Sequence, residues 1–142
     1  MKRSASAMWN GDLKSGKGTI STDSGVLSNT QYSFSTRFEN GVGTNPEELI
    51  AAAHAACLSM ALSAGLEGAG KVARRISTKA SCTIEKAGAG FKITKMRLEV
   101  RGDVPGIDQA AFAKAAEAAK EGCPVSGALK GNVEFELDAR LA

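Results

Sequence analysis

Apolar and polar side chains alternate with a period of two along several stretches of this chain, and the pattern is cleanest at the C-terminus. Val133, Phe135, Leu137, Ala139 and Leu141 alternate there with Asn132, Glu134, Glu136, Asp138 and Arg140, which predicts a half-buried strand. Ile76, Thr78, Ala80, Cys82 and Ile84 alternate in the same way with Ser77, Lys79, Ser81, Thr83 and Glu85. The run 91–100 follows through Lys86-Ala87-Gly88-Ala89-Gly90, a hairpin signal. Parity in that second run changes between Ile93 and Met96, so a bulge is expected there to keep one face buried. Residues 7–10, 17–22 and 31–38 are shorter strand candidates, separated by turn chemistry such as Asp23-Ser24-Gly25. A strand over 31–38 puts Tyr32, Phe34, Thr36 and Phe38 on one face and Arg37 on the other.

Helical periodicity governs the rest. Residues 49–66 hold no formal charge and are apolar nearly all round, the pattern of a helix covered on every side. Such a run reaches membrane-spanning length. Its composition is mostly Ala, Ser and Gly, it includes His54, Ser59 and Ser63, and no aromatic belt or basic flank borders it, so a buried helix is expected instead. One small sheet covers only one side, and a homodimer wrapped around the helix would cover the others. Asn45 as N-cap, Pro46 at the first helical position and Glu48 three residues after the cap form a capping arrangement, which leaves Glu47 free for other work. Asp108 caps an Ala-rich helix through Lys120, with Lys114, Glu117 and Lys120 outside. The predicted order is β-β-β-α-β-β-α-α-β, an α+β fold in a single domain over residues 1–142.

Composition narrows the function classes. With 142 residues, 43% hydrophobic and 23% charged, the chain can bury a real core and is not a disordered segment. The net charge of +3 is spread along the sequence without a block of like charges, which argues against nucleic-acid binding. Met1-Lys2-Arg3 begins as a signal peptide does, but residues 4–12 hold no apolar stretch, so no export is expected and the chain is placed in the cytoplasm. Three cysteines there favour reduced, catalytic or buried thiols over a disulfide scaffold.

Those cysteines carry the candidate chemistry. Cys57 lies within the apolar helical run, whereas Cys123 stands at a break, where Gly122 ends one helix and Pro124 can open another. With a single histidine in the chain, thiol redox is the first hypothesis. His54, three residues before Cys57, makes a Cys-His acyl transferase or hydrolase the alternative enzyme, although a satisfied core histidine is the plainer reading. Gly11 to Lys17 match the opening of a phosphate-binding loop, but Gly18 replaces its Ser or Thr and a strand-like run follows. Gly65-Leu66-Glu67-Gly68 has the spacing of an RNA-clamping loop, yet its glutamate would repel phosphate, so it reads as a helix end. A zinc site from Cys57, Cys82, Cys123 and His54 lacks short paired ligand spacing, and Cys82 already belongs to an apolar strand face.

Several motifs together carry a family resemblance: Trp9-Asn10-Gly11-Asp12, Thr36-Arg37-Phe38-Glu39, Asn45-Pro46-Glu47-Glu48-Leu49, Ala52-Ala53-His54-Ala55-Ala56-Cys57, Val104-Pro105-Gly106-Ile107-Asp108 and Gly122-Cys123-Pro124-Val125-Ser126. The chain resembles, over nearly its whole length, the OsmC family of osmotically inducible proteins, which is closely similar to the organic hydroperoxide resistance (Ohr) proteins. The resemblance implies an intertwined homodimer with antiparallel sheets around central helices. It also implies a thiol peroxidase of stress defence in which Cys57 attacks the peroxide and Cys123 resolves it, with Arg37 and Glu47 completing the site. A catalytically silent member of the fold is the other alternative. No bound cofactor or metal is implied, and an external dithiol, lipoyl-type rather than thioredoxin, is the expected reductant. The Ala-rich, Leu- and Met-containing surroundings of Cys57 favour organic peroxides.

Elementary physics agrees with these roles. Burial raises a thiol pKa, so a reactive Cys57 needs a cation beside it, and an arginine typically lowers a partner's pKa by ~1–3 units. Glu47 would orient that arginine by a bidentate contact. Ten helical residues separate Glu47 from Cys57, about 15 Å along the axis, beyond the reach of a glutamate side chain. Glu47 is therefore expected to complete the site of the partner subunit, with two sites per dimer at the interface.

Overall fold

A computed structural model describes all 142 residues. In chain order the elements are β1 (Ala5–Asn10), β2 (Lys17–Thr22), β3 (Thr30–Tyr32), α1 (Phe34–Phe38), α2 (Pro46–Gly68), β4 (Arg75–Ala87), β5 (Gly90–Asp103), α3 (Gln109–Gly122), α4 (Pro124–Leu129) and β6 (Glu134–Leu141). They fall into two compact units, Met1–Leu49 and Ile50–Ala142. The first holds the sheet β1-β2-β3 and the second the sheet β4-β5-β6.

In the N-terminal unit β1 and β3 both pair antiparallel with β2. Glycine at position 18 leaves room for the Tyr32 ring, which a Cβ there would overlap, and that ring packs tilted on Trp9 at 5.5 Å. The strand expected over 31–38 ends at Tyr32, and the short helix α1 takes its place. Ser33 starts it with a reciprocal capping box: the Ser33 hydroxyl accepts from the Thr36 N–H, and the Thr36 hydroxyl accepts from the Ser33 N–H at 2.8 Å. Phe34 and Phe38, two steps of a strand alternation, are also helical neighbours four apart, with ring centroids 5.0 Å from each other. Arg37 accordingly projects from the last turn of a helix and not from a strand face.

The helix α2 begins as its sequence predicts. The Asn45 carboxamide oxygen accepts from the Glu48 N–H at 2.8 Å. Glu48 departs from the expected box, because its carboxylate takes the Thr44 hydroxyl at 2.7 Å. Further along, His54, Leu58, Leu62 and Leu66 are buried at four-residue spacing and form one stripe. Leu58, Leu62 and Leu66 join Met96, Leu98, Val100, Phe112 and Ala116 in the core of the C-terminal unit. Other faces of α2 are open in the single chain, with Met60 76% exposed and Ala52, Ala53 and Ala56 also at the surface. By length and composition alone this helix also meets the requirement for crossing a membrane.

The β4–β5 hairpin carries the expected bulge. Thr83 faces Lys95 and Ile84 faces Ile93, which leaves Thr94 as the extra residue. That insertion turns Met96, Leu98 and Val100 into the core, all fully buried. β6 lies parallel to β5, so this sheet is mixed rather than antiparallel throughout. The cause is the connection: α3 and α4 lie between the two strands, the long helical crossover that parallel neighbours require. Asp108 caps α3 by accepting the Ala111 N–H at 2.8 Å. One turn on, the Phe112 ring lies over Gly102, where a Cβ would overlap it.

Candidate active site

The four residues singled out by the sequence form two pairs, each built inside one unit. In the N-terminal unit α1 presents Arg37 and the first turn of α2 presents Glu47. Arg37 Nε and Nη2 both donate to the same carboxylate oxygen, Glu47 Oε1, at 2.9 and 2.8 Å. The expected two-oxygen fork is thus replaced by a pincer on one oxygen, and Glu47 Oε2 is buried without a partner. Glu47 is only 5% exposed, whereas the Arg37 side chain is 40% exposed, so the carboxylate is anchored and the cation is presented. Asn45 fixes the approach by donating to the Thr36 carbonyl at 2.9 Å. The guanidinium also lies 5.2 Å from the centre of the Phe38 ring, within cation–π range. Arg37 helps line a cleft of about 270 Å³ with Trp9, Leu13, Tyr32, Phe34 and Phe38.

In the C-terminal unit the sulfurs of Cys57 and Cys123 are 2.9 Å apart, and both thiols are free. Cys57 is half-buried on α2. Cys123 is 1% exposed and closes α3 while opening α4, whose first residue is Pro124. Burial pushes the Cys57 thiol up and the Cys123 contact adds to it, against a smaller opposing hydrogen bond from the Val125 N–H. Burial also pushes Cys123 up, but the contact with Cys57 and the polar groups of Ser126 and Val125 outweigh it and hold this thiol below its ordinary value.

His54 is engaged away from Cys57. Its Nε2 lies 2.8 Å from Ser126 Oγ and its ring meets Phe135 edge-on at 5.5 Å, while Nδ1 is buried without a partner. Burial lowers its pKa, so the ring is neutral near pH 7. No group of three or more His, Cys, Asp or Glu side chains in the structure could hold a metal ion. Two features escaped sequence reasoning. The aromatic lining beside Arg37 was signalled only by the Ser33-x-x-Thr36 spacing that starts α1, and Ser126 only by its place three residues after Cys123.

A contacting thiol pair beside a long apolar helix, in an α+β chain with two small sheets, defines a class of reactive-cysteine proteins. Residues 38–138 match the family model described as OsmC-like protein, and the chain belongs to the OsmC family. It is 54% identical over 135 residues to Peroxiredoxin OsmC of Escherichia coli strain K12, a match covering 95% of this chain and 93% of that protein. It is 32% identical over 124 residues to the organic hydroperoxide resistance protein OhrB of Bacillus subtilis strain 168, covering 87% and 89% of the two chains. Among solved structures, an organic hydroperoxide resistance protein from Elizabethkingia anophelis superposes with a TM-score of 0.80 at 25% identity, covering 100% of this chain and 99% of that one.

Proposed function

We propose that this protein is a thiol-dependent peroxidase that reduces organic hydroperoxides to alcohols, with Cys57 as the attacking thiol and Cys123 as the resolving one. The observation that carries the reading is the 2.9 Å contact between the two sulfurs, in a chain of this family. The Cys57 thiolate displaces alkoxide from the peroxide O–O bond, the alkoxide takes up a proton as alcohol, and Cys57 becomes a sulfenic acid. Cys123 then condenses with it, releasing water and leaving a disulfide. An external dithiol returns both thiols, and a lipoyl-type donor fits the family resemblance.

A raised Cys57 thiol is the problem that Arg37 solves on this reading. Burial and the contact with Cys123 disfavour a Cys57 thiolate, and a guanidinium brought against it would lower its pKa by ~1–3 units. Glu47 holds that guanidinium in place through one oxygen. The open faces of α2 support a homodimer in which Glu47 serves the partner's Cys57. The family match runs across both units, which supports reading residues 1–142 as one domain. The aromatic cleft beside Arg37 supports an organic substrate over hydrogen peroxide, and we place the activity in the cytoplasm. The acyl-transferase alternative loses ground because His54 is spent on Ser126 and not on Cys57.

Purified protein should consume cumene hydroperoxide with dihydrolipoamide as reductant. Cys57→Ser should abolish turnover, and Cys123→Ser should allow one stoichiometric oxidation of Cys57 followed by overoxidation. Cys82→Ser should remain active. Mass spectrometry of the peroxide-treated protein that found Cys82 in the bridge, or thioester turnover without peroxide consumption, would overturn the reading.

A further inference from the structure

A buried polar pair in the C-terminal unit has no part in the scheme above. His54 opens the core stripe of α2, which continues as Leu58, Leu62 and Leu66, so a leucine at position 54 would meet the packing need alone. Instead the ring reaches across to α4, and its Nε2 lies 2.8 Å from the Ser126 hydroxyl oxygen. His54 is 0% and Ser126 3% exposed, and Ser126 is the only buried residue of α4. An apolar contact tolerates sliding, whereas a hydrogen bond shielded from water fixes both distance and direction. The bond is a strut between α2, which bears Cys57, and α4, which Cys123 opens.

Register gives the strut its meaning. His54 stands three residues before Cys57 and Ser126 three residues after Cys123, a spacing that sets each polar residue beside its cysteine on the helix surface. Three residues rise about 4.5 Å along a helix, so the His54–Ser126 bond and the 2.9 Å sulfur contact are successive rungs between the same two elements. The backbone of Cys123 is bonded within its own helices, its N–H to the Ala119 carbonyl and its carbonyl to the Gly127 N–H, and nothing in that ladder ties it to α2. We propose that the His54–Ser126 bond holds the opening turn of α4 on α2 and so sets how fast Cys123 resolves Cys57. The inference rests on the peroxidase reading and deepens it. In that step the Cys123 sulfur attacks the sulfenic sulfur of Cys57, the S–S bond forms, the S–O bond breaks, and the departing hydroxide leaves with the thiol proton as water. Cys123 is oxidised by the amount that the Cys57 sulfur is reduced. His54 and Ser126 are positioning residues: through the two helices they supply part of the effective concentration of one thiol at the other.

A thiol–disulfide equilibrium measures that effective concentration without peroxide. In a Cys82→Ser background, reduced protein is incubated with mixtures of oxidised and reduced dithiothreitol, the oxidised form taking up the two hydrogens that the pair loses, and the bridged fraction is read by mass after alkylation. Ser126→Ala should lower the equilibrium constant for bridging by about tenfold, the scale of one buried hydrogen bond, and His54→Phe should do the same. The double variant should lose no more than either single one, because the same bond is removed. His54→Gln, whose carboxamide can donate or accept, should recover most of the loss. In stopped-flow with cumene hydroperoxide, Ser126→Ala should slow disulfide formation by a similar factor relative to sulfenic acid formation. A role confined to stability would weaken the fold in both redox states and leave the equilibrium where it was. An unmoved equilibrium in Ser126→Ala overturns the proposal, and since that variant removes a single oxygen it carries the test even where His54→Phe does not fold. Losses that add in the double variant, or equal slowing of both thiol steps, overturn it too. Should the equilibrium move while the native protein consumes no cumene hydroperoxide, the peroxidase reading fails and the strut stands.

Discussion

At the scale of single residues the site turns on whether Cys57 can carry a negative charge. Arg37 closes both N–H donors on Glu47 Oε1 and keeps its own side chain partly exposed, so its charge is presented and not neutralised by a symmetric fork. Arg37→Lys keeps the charge but loses the planar grip, so it should retain part of the Cys57 ionisation and lose most of the peroxide rate. Arg37→Met should lose both, raising the Cys57 thiol pKa by ~1–3 units in an alkylation titration against pH. A Cys57 titration unchanged in Arg37→Met would remove Arg37 from the activating role. The identities of these side chains were readable from the motifs around them, and the elevated Cys57 thiol follows from its apolar run. Their grip was not readable. Whether Glu47 offers one oxygen or two, and whether the two sulfurs meet, depends on contacts between residues ten and 66 positions apart.

Elements were legible where a local signal fixed them. The parity break between Ile93 and Met96 located the Thr94 bulge, and Asp108 located the start of α3, because pleat and cap are set within a few residues. α1 was hidden because Tyr32, Phe34, Thr36 and Phe38 satisfy a strand period while Phe34 and Phe38 also satisfy a helical one; the capping box at Ser33 decides between them. The parallel seat of β6 was hidden for another reason: alternation reports which face is buried and says nothing of the neighbour's direction. Gly102 shows how tightly the second sheet receives α3. Gly102→Ala should cost about 1–3 kcal/mol by forcing the Phe112 ring aside, and Phe112→Leu in the same chain should return part of the loss. Urea midpoints for the single and double variants measure it, and strict additivity would show that the two residues do not compete for space.

For the whole molecule the proposed partner chain is the decisive question. Mixing inactive Cys57→Ser chains with inactive Glu47→Ala chains should restore activity, because a heterodimer then holds one complete site. Random exchange should give about a quarter of the native rate, since half the dimers are mixed and each has one working site of two. No recovery despite subunit exchange confirmed by native mass spectrometry would place both residues in the same subunit's site. The sequence leads one to expect that α2 needs covering but not which faces its own chain leaves open, because that depends on how far one core stripe reaches around the helix. A last consequence comes from the two sulfurs lying in contact before any oxidant arrives. On the proposed reading no segment has to unfold or swing for the second thiol to reach the first, so the sulfenic intermediate is short-lived and a second peroxide seldom finds it. A sudden flood of oxidant would then park the population in a recoverable cross-linked form instead of destroying it, and throughput would follow the supply of reductant and not the survival of the catalyst.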